Sequence, residues 1–158
     1  MNSFDEKDLH CKKVFEVLIK VGQPIVVGQD DSVGRRQLIP ILSGDVVGEG
    51  FNGKVLPGGI DSQVIRPDGK CELSARYAIQ MDDGAAIYIE NNGMRTVPPE
   101  YAEKVIHGEF VDPSLYYFRT VPVFETYDKK YKWMMNQIFL CYAIRLPEDV
   151  LLKFYRVL

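Results

Sequence analysis

The sequence predicts a mainly β protein, an antiparallel barrel or sandwich of about eight to ten short strands with one or two short helices. Short runs rich in Val, Ile and Tyr alternate with turn signals, and the 158 residues include nine Tyr and eight Phe, which favour strands. Only one stretch has a clear helical pattern. A chain of this length can bury the core of one domain. We therefore expect a flexible segment over residues 1–13 and a single β domain over residues 14–158.

The first part of the chain is predicted to contain three strands. Residues 14–27 are strand-like, but a glycine and a proline interrupt the run. Residues 33–41 form a second candidate strand. Ser43-Gly44-Asp45 is then predicted to turn the chain into a third strand over residues 46–56.

Consecutive hairpins are predicted between Gly53 and Arg95. The turn signals are Pro67-Asp68-Gly69, Asp82-Asp83-Gly84 and Asn91-Asn92-Gly93. Alternation over residues 72–81 separates an apolar face from a polar face that includes Arg76. Because a hairpin joins this strand to the preceding one, Asp61 and Arg76 are predicted on adjacent strands at comparable height.

The last part of the chain is predicted to hold the best helix and then three strands. The helix begins near Pro98-Pro99-Glu100 and ends before Gly108, with proline in its first turn and glycine after its end. A single helical turn is expected between Asp128 and Trp133. The strands are predicted over residues 115–121, 136–145 and 150–157.

Several function classes lack their sequence signals. A net charge of −3 disfavours nucleic acid as a partner. No apolar run has the length of a signal peptide or a membrane span, so we expect a cytoplasmic protein without a membrane partner. His10 and His107 are far apart, which disfavours a histidine metal site and leaves a carboxylate site open. Cys11, Cys71 and Cys141 have no C-x-x-C spacing and are predicted to pack as small apolar residues.

One segment formally matches the dinucleotide fingerprint G-x-G-x-x-G. It is Gly48-Glu49-Gly50-Phe51-Asn52-Gly53. The motif works when a helix follows it, because the aligned backbone N–H groups of that helix bind the pyrophosphate. Here Lys54-Val55-Leu56-Pro57 follows, which does not open a helix. We interpret the glycines as a bend in a strand and expect no cofactor.

A set of short motifs, in order along the chain, resembles the bacterial and fungal family numbered 3237 among domains of unknown function, also numbered 0311 among uncharacterised protein families. The motifs are Gly58-Gly59-x-Asp61-x-Gln63, Arg66-x-Asp68-Gly69, Ala75-Arg76-Tyr77, Asp83-Gly84, Asn92-Gly93, Tyr117-Phe118-Arg119-Thr120 and Trp133-x-x-Asn136. The resemblance spans residues 15–157 and implies a small β-barrel without an assigned activity. Ser62 departs from the pattern, because the family usually has an aromatic residue there.

A small barrel can hold one ligand at its mouth, and its polar residues are the candidates for such a site. Asp61 could act as a general acid or base beside Arg76. Arg76 and Arg119 could hold a carboxylate or stabilise an oxyanion, and Asn136 could orient the ligand. The further candidate ligand-binding residues are Arg35, Gln63, Tyr117 and Trp133. Alternatively, Asp61 and Arg76 form a structural ion pair.

Two functions follow as hypotheses. The first is the binding of a small metabolite with a carboxylate or carbonyl group, with cofactor-independent proton transfer of the isomerase, cyclase or lyase type. The second is a non-catalytic barrel that binds a ligand or another protein; unpaired strand edges would also allow a homodimer. Both pocket hypotheses require Asp61, Arg76, Arg119 and Asn136 to line one cavity, and both fail if these residues point to different faces.

Overall fold

The computed structural model describes residues 8–158, which contain ten strands, one α-helix and two short 3₁₀ helices. The strands are β1 (Cys11–Val21), β2 (Ile25–Asp30), β3 (Gly34–Gly48), β4 (Gly53–Val55), β5 (Gly59–Ile65), β6 (Cys71–Met81), β7 (Ala86–Thr96), β8 (Tyr117–Thr126), β9 (Phe139–Arg145) and β10 (Asp149–Val157). The helix α1 spans Pro99–Ile106, and the 3₁₀ helices span Pro113–Leu115 and Lys132–Asn136.

Eight antiparallel strands close into a barrel. Strands β6 to β10 pair in sequence order, β10 pairs with β1, and β1 pairs with β3. Strands β4 and β5 both lie between β3 and β6. This closure confirms the predicted class and selects the barrel over the sandwich. Among residues 8–158, strand β2 pairs only with β3, and the homodimer through a strand edge stays a prediction.

Aromatic rings fill one end of the barrel. Phe15 stacks on Phe51 and on Phe154, with ring centroids 4.4 Å apart in each pair. Phe124 and Phe139 meet edge to face at 4.9 Å. We call these five phenylalanines the aromatic plug. Four of these rings point inward from β1, β8, β9 and β10, and Phe51 lies between β3 and β4. Because the five rings pack against one another, this end of the barrel is a filled core without room for a ligand.

The opposite end of the barrel is hollow and α1 lies against it. Val105 is buried, and Val105 and Ile106 both line the hollow space. The helix begins with proline in its first turn, and Gly108 adopts a φ of 73° two residues after its end, as the sequence predicts. The barrel is therefore closed by the plug at one end and bordered by a short helix at the other.

Most of the predicted turns and strand breaks are confirmed. The chain turns at Pro67-Asp68-Gly69 and at Asp82-Asp83-Gly84, where Gly69 and Gly84 have positive φ. The strand-like run at the start is interrupted, and β1 and β2 lie on either side of residues 22–24. The formal dinucleotide motif leads into β4 and no helix follows it. Residues 1–7 of the predicted flexible segment lie outside the described residues, and Cys11 already pairs with Val157.

Two predicted turns are wrong because the glycines serve close strand packing. β3 runs without a break through Ser43-Gly44-Asp45, so the separate third strand over residues 46–56 does not exist. β7 likewise runs through Asn91-Asn92-Gly93. A Cβ at Gly44 would lie 2.4 Å from the Leu18 carbonyl oxygen, and one at Gly93 would lie 2.2 Å from that of Arg119. The missing side chain lets neighbouring strands approach, and it does not mark a reversal.

Candidate functional site

The hollow end of the barrel contains a cavity of about 80 Å³. Apolar side chains form much of its wall, including Ile19, Ile39, Ile41, Ile65, Leu73, Ala75, Phe118 and Leu152. Polar side chains also reach it: Gln37, Asp61, Gln63, Tyr77, Asn91, Arg95, Thr120 and Arg145. An apolar cavity with a few convergent polar groups is the usual form of a small-molecule site.

Three of the polar side chains form a buried hydrogen-bond chain. Gln37 Nε2 donates to Gln63 Oε1 at 2.8 Å, and Gln63 Nε2 donates to Asp61 Oδ2 at 2.7 Å. Both glutamines are buried. They reach the same place because β3 and β5 are paired with Gln37 opposite Gln63, and Asp61 is two residues from Gln63 on the same face of β5. The chain holds the carboxyl of Asp61 in one orientation.

Burial raises the pKa of the Asp61 carboxyl above its ordinary value of 3.8. The amide of Gln63 and the positive charge of Arg95 act in the opposite direction, but desolvation has the larger effect. Oδ2 accepts the Gln63 hydrogen bond, and Oδ1 is buried without a partner within residues 8–158. Asp61 therefore brings a carboxyl of raised pKa to the wall of the cavity.

Three more buried oxygens around the cavity have no hydrogen-bond partner in the described part of the chain. They are Tyr77 OH, Asn91 Oδ1 and Thr120 Oγ1. Burial also raises the pKa of the Tyr77 phenol well above 10, so this group stays protonated. Buried polar atoms are nearly always paired in folded proteins, and each exception needs an explanation. The side chains of Asn91 and Thr120 lie beside the thiol of Cys141, which is a weak hydrogen-bonding group.

Two arginines bring positive charge to the same cavity. Arg95 is 6% exposed and its guanidinium lies 5.3 Å from the ring centre of Phe118. Burial lowers the pKa of Arg145, and the nearby charge of Arg95 lowers it further. Neither guanidinium has a carboxylate within 4.0 Å in the described range 8–158. Two cationic groups and one carboxyl therefore line the cavity, and this arrangement favours an anionic ligand.

The predicted four-residue pocket is wrong, because its members lie on different faces of the barrel. Arg76 and Asp61 lie at the same level along β6 and β5, because Ile60 pairs with Arg76 and Asp61 pairs with Ala75. The two side chains nevertheless point to opposite faces, because successive residues of a strand alternate between the faces. Arg76 is exposed and its Nη1 lies 3.5 Å from Glu90 Oε1. The alternative of an Asp61–Arg76 ion pair is wrong for the same reason.

The other predicted site residues also divide between the two faces. Gln63 lies in the cavity with Asp61. The guanidinium of Arg119 lies outside, 3.7 Å from the ring centre of Tyr142 and 5.2 Å from that of Tyr117. Tyr117, Trp133 and Asn136 are exposed, and Arg35 is partly buried on β3 without lining the cavity. A binding role for these outer residues stays a prediction.

Sequence reasoning missed the two cavity arginines and Asn91. The signal was present in β7, where Ile87, Ile89, Asn91, Gly93 and Arg95 alternate with outward-facing residues. Interpreting Asn91-Asn92-Gly93 as a turn broke this alternation and hid the inner position of Arg95. Arg145 had no comparable signal, because it is the last residue of β9 and its face depends on how the barrel closes.

Other kinds of site are not formed by the described residues. Within residues 8–158, no three His, Cys, Asp or Glu side chains come together in a way that could hold a metal ion. The helix found in this range is too short and too polar to cross a membrane. Burial raises the pKa of Cys71 to about 11 and that of Cys141 to about 12, so both thiols stay protonated at neutral pH. These two pack in the core, as the sequence predicts, whereas Cys11 is exposed and the prediction is wrong for it.

Comparison with known proteins places the chain among relatives of nearly the same length. A UPF0311 protein of Clostridium acetobutylicum is 72% identical over 151 residues, which cover 96% of each chain. The crystal structure of a protein with unknown function from the same species has a TM-score of 0.90 at 69% identity, covering 98% of this chain and 100% of the other. A β-barrel-like protein from Acinetobacter baumannii has a TM-score of 0.85 at 27% identity, covering 99% and 100%.

The family profile described as protein of unknown function (DUF3237) matches residues 9–157. This range contains every strand of the barrel and every side chain of the cavity. The resemblance seen in the short motifs is thus confirmed over almost the whole chain. The chain belongs to the DUF3237 family, whose curated bacterial members carry the name UPF0311.

Proposed function

We propose that this protein binds a small organic acid in the barrel cavity and that Asp61 exchanges a proton with the bound molecule without a cofactor. One observation carries the proposal: the buried guanidinium of Arg95 and the partly buried one of Arg145 share a small cavity with a single carboxyl whose pKa is raised by burial. A group of perturbed pKa in a cleft is a marker of functional sites. The excess of positive charge supports an anionic ligand.

Each side chain has a role that its chemistry suits. Arg95 and Arg145 would hold the acidic group through charge-assisted hydrogen bonds, which are stronger than neutral ones. The protonated form of Asp61 would donate to a carbonyl oxygen, and its ionised form would accept a proton from carbon or oxygen. Gln63 and Gln37 would keep the carboxyl oriented in both forms. This set supports proton shifts of the isomerase, cyclase or lyase type.

The binding part of the proposal is tested by a thermal-shift screen of small carboxylates, oxo acids and their uncharged amides against the full chain. We expect the acids to raise the melting temperature and the amides to have little effect. Replacing either cavity arginine, in Arg95→Met or Arg145→Met, should weaken binding by at least about tenfold, because a charge-assisted hydrogen bond contributes on the order of 1.5–3 kcal/mol. Arg76→Met is the matched control, since Arg76 lies on the outer face.

The proton-transfer part needs a second measurement. Each stabilising acid is followed by NMR in deuterated buffer with catalytic amounts of protein. We expect deuterium incorporation or conversion with the natural chain, and none with Asp61→Asn. Binding without exchange or conversion, together with Asp61→Asn retaining affinity, would identify a non-catalytic ligand-binding barrel and end the enzymatic proposal. Equal stabilisation by acids and amides would contradict the binding proposal itself.

A further inference from the structure

We propose that two copies of this chain associate face to face through the outer surface of β8 and its neighbouring strands, which we call the β8 face. Ten side chains at the surface define it: Tyr88, Glu90, Asn92, Met94, Arg119, Val121, Val123, Glu125, Ile138 and Leu140. The β8 face lies on the outside of the barrel, so its role does not depend on whether the cavity binds an acid.

The β8 face exposes apolar side chains that lie next to one another. Val121 and Val123 are 51% and 63% exposed in the middle of β8. Ile138 and Leu140 are 67% and 42% exposed. Leu140 lies beside Val121, because β8 and β9 are antiparallel and pair one residue earlier. Single exposed apolar residues are normal on a protein surface, whereas adjacent ones with charged neighbours mark an interaction site.

The outward-facing residues of β8 are complementary to their own reverse order. They are Arg119, Val121, Val123 and Glu125: a cation, two valines and an anion. Two copies of β8 can lie antiparallel across an interface and cross at the level of Pro122. Arg119 of one copy then faces Glu125 of the other at both ends, and the valines face each other between them. A two-fold interface requires this reciprocity, and it makes a second copy the partner that fits the surface.

The same two-fold rotation also matches the side chains of β7. Its axis lies between the copies and perpendicular to β8, so β7 faces β7 of the second copy. Because β7 pairs with β8 without a shift in register, Met94 faces Tyr88 of the second copy and Asn92 faces Glu90. Asn92 Oδ1 accepts a hydrogen bond from Ser74 Oγ at 2.8 Å, and its NH₂ group can donate to the facing carboxylate. Beside β9, the exposed leucine and isoleucine face each other.

The two charges at the ends of this pattern have no salt-bridge partner in the described part of the chain. No carboxylate lies within 4.0 Å of the Arg119 guanidinium, and no cation lies within 4.0 Å of the Glu125 carboxylate. The guanidinium stacks on Tyr142, 3.7 Å from its ring centre, which holds it at the surface. Opposite charges across an interface fix its register, so these two residues select the antiparallel arrangement.

The size of the β8 face predicts a weak dimer. It has ten residues, fewer than the 20–30 residues on each side of a standard interface, so we expect a dissociation constant on the order of 10 µM. The contact is made by side chains and gives the backbone of β8 no new partner. The homodimer predicted from the sequence would instead form through a strand edge.

The test is sedimentation velocity of the full chain between about 1 µM and about 500 µM, a range that brackets this constant. We expect the natural chain to dimerise. Arg119→Glu and Glu125→Arg should each weaken dimerisation at least about tenfold, because each makes like charges face each other twice in the dimer. An equimolar mixture of the two variants should dimerise again, since opposite charges then face each other at both ends. Arg36→Glu is the matched control, because β9, β10 and β1 separate its strand β3 from β8.

Each other outcome contradicts the proposed dimer. A natural chain that stays monomeric at about 500 µM has no such interface. A dimer that Arg119→Glu leaves as tight as in the natural chain uses another surface, such as the edge of β2. If both variants are monomeric and their mixture is too, the antiparallel arrangement is wrong. Melting temperatures show whether the variants fold, and Val123→Asp, at a position that is exposed in the single chain, replaces one that does not and should also prevent dimerisation.

Discussion

Asp61 shows how a single side chain acquires its properties from position alone. It is one of many acidic residues in the chain, yet the strand alternation of β5 turns it inward, and its neighbours Ile60 and Ser62 lie toward the outside. Burial raises its pKa, and Gln63 fixes one of its oxygens. The same carboxyl on the outer face would be an ordinary solvated charge.

The raised pKa of Asp61 makes the stability of the protein depend on pH. Between the ordinary value of 3.8 and the raised one, the folded protein binds a proton that the unfolded chain releases. The free energy of unfolding therefore falls as pH rises through this interval. Asn carries no proton to lose, so we expect Asp61→Asn to remove this fall and to raise the melting temperature at pH 7 by about 2–4 °C. Calorimetry between pH 4 and pH 8 measures both effects.

Asp31→Asn is the control for this experiment, because Asp31 is exposed and should leave the pH dependence unchanged. A variant Asp61→Asn that keeps the same slope of melting temperature against pH would show that Asp61 is not the group responsible. A lower melting temperature at every pH would show that the ionised carboxyl stabilises the fold.

For single strands and helices, the alternation of inward- and outward-facing residues decides which structural features could be predicted from the sequence. The turns at residues 67–69 and 82–84, helix α1 and the polar and apolar faces of β6 were readable, because they depend on local geometry. Asp61 and Gln63 were found for the same reason. Arg76, Arg119 and Asn136 were wrongly placed in one cavity with Asp61, because a list of polar residues does not say which face of a strand lies inside a closed barrel. The inward position of Arg95 was not predicted, because β7 was interpreted as ending in a turn at residues 91–93.

The aromatic plug is the element on which stability should depend most strongly. Phe15 is fully buried and stacks on both Phe51 and Phe154. Truncating such a ring removes apolar burial and leaves a void, which costs on the order of 3–5 kcal/mol. We expect Phe15→Ala to lower the free energy of unfolding by this amount in urea denaturation.

The plug prediction has a control in the same residue type. Phe110 is 59% exposed in a loop, so Phe110→Ala should change the free energy of unfolding by less than about 0.5 kcal/mol. Similar losses in the two variants would mean that the plug is not the centre of the core.

For the whole molecule, closure of the barrel is uneven around its circumference. β6 and β7 pair continuously from Cys71–Arg95 to Gln80–Ala86. β8 and β9 pair only at Arg119–Tyr142 and Thr120–Cys141. The 3₁₀ helix Lys132–Asn136 lies between these two strands in the sequence. Beyond those two residue pairs, the backbone groups of β8 and β9 do not pair with each other. Local opening should therefore begin there.

Hydrogen exchange measured by mass spectrometry tests this difference. We expect peptides covering residues 121–126 and 132–140 to exchange at least about tenfold faster than a peptide covering residues 86–96, because local opening exposes amides at a lower free energy than global unfolding. Uniform protection around the barrel would show that β8 and β9 are held together as firmly as β6 and β7.

The division of the barrel into a plugged end and a hollow end has a consequence for how such a protein can diversify. Side chains at the hollow end contribute little to the stacked rings that hold the fold together, so they can be exchanged while the scaffold persists. Inward-facing positions of β7 and β8 are then sites where side chains can be exchanged without loss of the fold. A library randomised at Asn91, Arg95 and Thr120 should yield mostly folded barrels with altered ligand preference, which makes this chain a practical starting point for designed receptors of small acids.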